Sequence, residues 1–298
     1  MKVIVTGASG FVGKSLLPKL ACAGFAVTAI TSRALSDQVS KEAVWLQADL
    51  FDREQMKQIF DSVKPDLLIH LAWDTEPGKF WSSVRNFEWC RATATLLELF
   101  KHAGGKKVVM AGTCAEYDWS YGYLTEDVTP TAPKTIYGQC KNTTRLYTQL
   151  FCAQNRIEFV WARIFFPYGP GEHSNKLIPL VVSALEKREE VRCTHAQQFR
   201  DYLHIDDVAS AFCHLANTAD ASGVFNIASG IPLKLESLVQ ACAQPFNYAP
   251  LLKFGAIDVA TDDPMMLVGD IRKLKQLGWQ PAVSLEDGLR TYIDLLRN

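Results

Sequence analysis

The 298-residue sequence has no surplus of charge of either sign: 31 basic residues stand against 32 acidic ones, a formal net charge of -1. A chain that neutralises a nucleic-acid backbone carries a basic excess, so no nucleic-acid partner is expected. No apolar run is long enough to span a bilayer, so no membrane partner is expected either. Internal repeats and low-complexity linkers are also missing, which excludes solenoids and tethered arrays. The cysteines at 22, 90, 114, 140, 152, 193, 213 and 242 form no C-x-x-C pair. Structural zinc and thioredoxin-like chemistry lose their usual spacing, and no metal site is expected. Most of these cysteines lie in apolar stretches, as small hydrophobes do, which fits a reducing cytoplasm. Met1-Lys2 leads directly into an apolar run, which predicts no secretory leader.

What is present is ordinary globular material, 48% hydrophobic and 21% charged, long enough for one large domain or two smaller ones. Strand-like runs at 2–6, 26–31, 44–48, 67–71, 107–111 and 158–164 alternate with helix-like stretches at 10–23, 53–63, 80–103 and 135–155. Several strands are apolar throughout, as strands buried on both faces are. The alternation predicts an α/β fold, a doubly wound, Rossmann-like parallel sheet covered by helices. After about residue 165 the regularity breaks at "FFPYGPGEH", a Pro- and Gly-rich loop, with a helix expected at 175–187. The expected division is a dinucleotide-binding domain of 1–165 plus about 202–225, and a smaller C-terminal α/β substrate domain of 166–201 plus 226–298.

In "VIVTGASGFVGKSLL" the glycines Gly7, Gly10 and Gly13 stand three apart between a strand and a helix. Glycine there permits positive φ and close approach of a ligand, and the helix N-terminus offers free N–H groups to a pyrophosphate. A tight turn with no ligand needs the same residues. Further along, Tyr137 and Lys141 are four apart on one predicted helix and share a face. A free tyrosine has a pKa of about 10, and a nearby ammonium favours its phenolate.

Thr6-Gly-Ala-Ser-Gly-Phe-Val-Gly13 resembles the T-G-x-x-G-x-x-G of the short-chain dehydrogenases/reductases, in their extended, sugar-nucleotide-modifying branch, the NAD-dependent epimerase/dehydratase family. "QADL", "HLAW", "YGQCK", "PYGPG", "RDYLHIDDVA", "FNIASG" and "LGW" match segments of that branch in the same order, so the resemblance spans nearly the whole chain. It implies a catalytic group of Thr113, Tyr137 and Lys141, with Tyr137 exchanging a proton as hydride moves. It implies cofactor contacts from Gly7, Ser9, Gly10, Phe11, Val12 and Gly13, from Asp49 and Leu50, from Leu71, Ala72 and Trp73, and from Tyr137 and Lys141. It implies substrate contacts from Thr113, Cys114, Phe166, His173, Lys176, Leu177 and Arg200, the last clamping a diphosphate. It also implies a homodimer that pairs the two long helices.

Neighbouring residues separate the chemistries of the branch. The dehydratases carry Asp-Glu after the catalytic Thr, where this chain has Cys114-Ala115. Thr, Tyr and Lys remain, the minimum for hydride transfer to a ketone. "GTCAEY" and "ARIFFPYGPGE" look like the 4-ketoreductases of deoxysugar pathways. The expected function is reduction of a nucleotide-linked 4-keto-6-deoxysugar. A C4 epimerase with bound NAD uses the same three residues, and a non-catalytic dinucleotide-binding regulator keeps the same fold. Where NAD enzymes carry an acid after the second strand this chain has Ser32 and Arg33, which favours NADP(H), with NAD as the alternative. Three departures stand out. "VATDDPMML" lacks the family's second diphosphate arginine, Trp89 stands where an Asn is usual, and Phe166 replaces an Asn.

Overall fold

Seven apolar segments pair edge to edge in a parallel sheet: β1 (Lys2–Thr6), β2 (Ala26–Thr31), β3 (Val44–Gln47), β4 (Leu67–His70), β5 (Lys107–Thr113), β6 (Glu158–Ile164) and β7 (Gly223–Ile227). The structure is a computed structural model and describes residues 1–35, 41–246, 249–260 and 263–297. The strand order is β7-β6-β5-β4-β1-β2-β3, so the winding reverses between β1 and β4. In open α/β sheets that crevice, at the carboxyl ends of the strands, is where ligands sit.

The alternation of side chains along each strand sorts the core into two layers. Val3 and Val5 point to the face covered by α1 (Phe11–Cys22), joining Leu16, Leu17 and Leu20. Ile4 and Leu68 point to the other face, against Met56 and Phe60 of α2 (Arg53–Val63) and Leu96, Leu97 and Phe100 of α3 (Arg85–His102). Next comes α4 (Ile136–Asn155), which packs against α3. A third cluster joins α5 (Leu177–Glu186), α7 (Leu235–Ala243) and α9 (Leu285–Arg297). Between these in sequence, α6 (Ile205–Asn217) returns to the first face and packs on α1. The short α8 (Arg272–Gln276) packs beside β7.

The expected doubly wound parallel sheet is therefore present, with differences at element ends and two larger local ones. β7 was not among the strands expected from the sequence; it carries the chain past residue 225 to Ile227 and pairs with β6. The helix expected over 80–103 begins only at Arg85. The physical reason lies in Asn86, whose side-chain amide donates to the carbonyls of Phe80 and Ser83, 2.8 Å each. These bonds close residues 80–83 into a turn instead of a helical one. A smaller mixed sheet is built from Leu233–Lys234, Phe199–Arg200, Met266–Gly269 and Tyr123–Leu124, and Phe166–Tyr168 pairs with Tyr202–His204.

Candidate active site

β1 ends at Thr6 opposite His70 of β4, and the glycine turn follows. Gly7 has φ +68, and a Cβ there would lie 2.7 Å from the Ala72 nitrogen. A Cβ at Gly13 would lie 2.5 Å from the carbonyl oxygens of both Gly7 and Ala8. These two glycines are required by strand–helix packing alone. Gly10 differs: it is the N-cap of α1, and a Cβ there would meet only the Gly7 carbonyl, at 3.0 Å. No side chain caps α1, and no acid stands in its first turn. Its positive end is left for an anion, so the turn fits a pyrophosphate. Phe11 lies under the "PYGPG" loop, since a Cβ at Gly171 would touch its ring at 3.8 Å. Val12 packs against the α1 face of the core.

Ser9 hydrogen-bonds Thr31 at the end of β2 (2.8 Å), and the Arg33 backbone N–H donates to the same hydroxyl (3.1 Å). Ser32 and Arg33 are exposed just beyond. Asp37, the nearest acid, lies outside the described residues. Asp49 accepts from the Phe51 N–H while Leu50 is buried. Leu71 and Ala72 form the wall that the Gly7 turn packs against, and the Leu71 N–H donates to the Thr6 carbonyl. His70 is buried between two threonine hydroxyls, Thr6 at 2.6 Å and Thr93 at 3.1 Å. Burial, with Lys141 nearby, pulls it down to about 3, so it is a neutral structural imidazole.

The three expected catalytic residues do come together. Thr113 is the last residue of β5, two residues beyond the expected strand end, and its hydroxyl accepts from the Ala115 N–H. Thr135 caps α4 by accepting from the Gly138 N–H (3.0 Å), which puts Tyr137 in the first turn. The Tyr137 phenol faces the Thr113 hydroxyl. Lys141, one turn on, sends its ammonium to the Ala111 carbonyl (2.9 Å) and over the Trp73 ring, 3.9 Å from the centroid.

The electrostatics correct one expectation. A lowered Tyr137 pKa was anticipated from its lysine. Instead burial pushes the phenol above the ordinary tyrosine range, with only the Thr113 hydroxyl pulling it down. Tyr137 sits under Phe80 and Trp81, ring centroids 4.8 and 5.7 Å away. Burial also pulls Lys141 down to about 7, against the attraction of Glu116.

The expected substrate residues fall into two groups. Cys114 and Phe166 share an apolar cluster, and Arg200 lies over the Phe166 ring at 5.8 Å and acts on Cys114. Burial pushes the Cys114 thiol up to about 12, so it offers neither a thiolate nucleophile nor a base at neutral pH. Arg200 is buried and pairs with Asp263 at 2.6 Å, not with the neighbouring Asp201 or Asp206. Asp201 instead gathers the backbone N–H groups of Ser229, Gly230 and Gly269. His173 and Lys176 are exposed on the loop leading into α5, which Leu177 opens. Trp73, Trp81 and Trp119 gather near Tyr137, whereas Tyr121 and Tyr123 are exposed elsewhere.

Glu116 was not singled out from the sequence. It is fully buried, accepts from the Thr113 N–H (2.9 Å) and the Trp161 indole (2.9 Å), and pairs with Arg163 at 2.8 Å. Its signal was the capping-box spacing Thr113-x-x-Glu116. Asn86, the asparagine one turn before the Trp89 departure, closes the turn over Tyr137 and accepts from the Trp73 indole (2.8 Å).

The NAD dependent epimerase/dehydratase family model matches residues 3–228, from the first strand through the last strand of the large sheet. The chain belongs to this family. It is thus an enzyme of the NAD-dependent sugar-nucleotide class. Among curated relatives it is 28% identical to the CDP-abequose synthase of Salmonella typhimurium, over 99% of this chain and 98% of that one. It is 25% identical to the UDP-glucose 4-epimerase of Mycolicibacterium smegmatis, over 100% and 99%. Among solved structures it resembles the Thermotoga maritima UDP-glucose 4-epimerase with UDP-glucose: TM-score 0.88, 25% identity, coverage 100% and 99%. It also resembles MoeE5 in complex with UDP-glucuronic acid and NAD, with TM-score 0.86, 28% identity and the same coverage. In the described residues no helix is long and apolar enough to cross a membrane.

Proposed function

We propose that the protein reduces the keto group of a nucleotide-linked 4-keto-6-deoxysugar, with Tyr137 as proton donor. The observation that carries this reading is the state of the residues after Thr113. A dehydratase needs a free acid and base there. This chain offers a buried thiol at Cys114, the apolar Ala115, and a Glu116 locked to Arg163 and Trp161. Those three residues supply no free acid–base pair to eliminate water, while Thr113, Tyr137 and Lys141 suffice for reduction. Similarity to a CDP-abequose synthase supports the same direction.

The dinucleotide, when bound, supplies the hydride. The residues that would hold it are the uncapped N-terminus of α1 at Gly10, Phe11, Val12 and Gly13, with Ser9, Asp49, Leu50, the wall Leu71, Ala72 and Trp73, and Lys141. Thr113 holds the substrate oxygen by a hydrogen bond. Tyr137, kept protonated by burial, is poised to donate rather than abstract. Arg200, released from Asp263, holds the diphosphate; Cys114 and Phe166 line the same apolar wall, and His173, Lys176 and Leu177 approach from the loop. Exposed Ser32 and Arg33 at the end of β2 suit a 2′-phosphate, hence NADP(H). On this reading the dinucleotide-binding domain comprises 1–165 plus about 202–225, and the substrate domain 166–201 plus 226–298. The protein works in the cytoplasm as a homodimer through α3 and α4.

A second reading, NAD-dependent C4 epimerisation, is favoured by the likeness to UDP-glucose 4-epimerases. A panel of nucleotide 4-ketosugars with NADPH or NADH separates the two. Net loss of cofactor absorbance is the reductase result. Interconversion of hydroxysugars at constant absorbance is the epimerase result. Tyr137→Phe is expected to lose about 10²–10⁴-fold in kcat, and undiminished turnover in that variant would end the proposal. Arg33→Ala is expected to erode the preference for NADPH.

A further inference from the structure

Lys141 has three N–H donors to satisfy in a site where it is only 4% exposed. One goes to the Ala111 carbonyl, 2.9 Å away. The same ammonium lies 3.9 Å from the centroid of the Trp73 ring, within the range of a strong cation–π contact. Trp73 is not free to drift. Its indole N–H donates to the Asn86 side chain at 2.8 Å, and its ring stacks on Trp89, centroids 6.0 Å apart and planes 25° apart. Asn86 in turn holds the turn that carries Phe80 over Tyr137. The Trp73 and Tyr137 rings stand edge to face, with centroids 6.5 Å apart. Trp73, Asn86, Phe80 and Tyr137 therefore form one closed ring of contacts, and Lys141 is seated on its Trp73 member.

We infer that Trp73 is a positioning residue for Lys141, whose indole face holds the lysine side chain as an ammonium within a site that would otherwise disfavour a charge. The inference rests on the reading that a dinucleotide binds beside Lys141. Beyond placing Trp73 along the cofactor, it assigns the indole a separate task. The groups facing Lys141 are Glu116 from the turn after β5, Cys90 from α3, His70 from β4 and Tyr137 on its own helix. Glu116 favours the ammonium, but its carboxylate is shared with Arg163, Trp161 and the Thr113 N–H. His70 is neutral and contributes no charge. The Ala111 carbonyl and the Trp73 face are then the two supports that lie directly on the ammonium, and only the second is a side chain. Removing it lowers the pH at which Lys141 sheds its proton.

The test is the affinity of the intact protein for NADPH and NADH, measured calorimetrically from pH 6 to pH 10, together with the pH profile of kcat/KM. Trp73→Leu is expected to move the alkaline fall in both downward by about one pH unit, a tenfold loss of affinity on that limb. Trp73→Phe, which keeps a ring face, is expected to restore most of it. Should Trp73→Leu fold poorly, mono- and difluoro-tryptophan placed at 73 keep the shape while draining charge from the ring face. A stepwise downward shift with fluorination supports the inference. An unmoved alkaline limb in Trp73→Leu, or no trend across the fluorinated series, overturns it. The binding titration needs no sugar, so it can fail while the assignment of Tyr137 stands, and the reverse also holds.

Discussion

Glu116 and Arg163 meet at 2.8 Å beneath the site, and neither side chain reaches solvent. The pair sits directly behind Thr113, because the Glu116 carboxylate also accepts from the Thr113 N–H. Removing one partner of a buried ion pair leaves the other charge uncompensated, which costs far more than the intact pair contributes. Glu116→Gln is therefore expected to cost about 3–5 kcal/mol of stability, read from urea unfolding. It is also expected to lower kcat by loosening Thr113. A loss under about 1 kcal/mol would mean that the pair is not desolvated as described.

Gly13 and Gly10 of the first turn are expected to behave differently from each other. Gly13→Ala places a methyl 2.5 Å from two backbone carbonyls that have no room to move. A loss of about 1–3 kcal/mol is expected, seen as a lower Tm with or without cofactor. Gly10→Ala meets a single carbonyl at 3.0 Å and is expected to stay within about 1 kcal/mol of the parent protein. Its loss is expected in dinucleotide affinity, since the methyl stands at the opening of α1. Equal stability losses in the two variants would contradict this division.

Glu172, in the "PYGPGEH" loop, is pushed up to about 7 by burial, against the pull of Lys176 and of the Tyr292 hydroxyl. The folded protein thus keeps this proton to about pH 7, while the unfolded chain releases it near the ordinary 4.5. Between those values the folded state binds more protons than the unfolded one, so stability falls as pH rises and is flat above. The contribution is on the order of 3 kcal/mol. Glu172→Gln is expected to remove this fall and to be more stable than the parent at pH 8. Denaturant unfolding across this pH range checks the slope; an unchanged slope in the variant would refute the assignment.

Leu146, Tyr147 and Leu150 form an exposed apolar row on α4, with Phe87 exposed on the neighbouring α3. Leu150 is 71% exposed in the single chain. The proposed homodimer buries this row, and Leu150→Glu is expected to convert it to a monomer with the fold intact. Sedimentation velocity decides; a parent protein that sediments as a monomer would dismiss the pairing.

The strands and helices of the large sheet could be read from the chain because each is specified locally. Uninterrupted apolar runs such as Val3–Val5 and Val108–Val109 have one low-energy solution, a strand buried on both faces. The T-G-x-x-G-x-x-G turn and the four-residue spacing of Tyr137 and Lys141 are likewise local, so the glycine turn and the helix that carries both side chains were visible in the sequence alone. Other features depend on side chains that meet only when distant segments pack. The cover of Phe80 over Tyr137, the Glu116–Arg163 pair and the Arg200–Asp263 pair each join residues from separate elements. The protonation states belong to this second class as well. Tyr137 moves up and Lys141 moves down because burial removes water from both, and no pattern of residue types along a chain measures how much water a packed interior excludes.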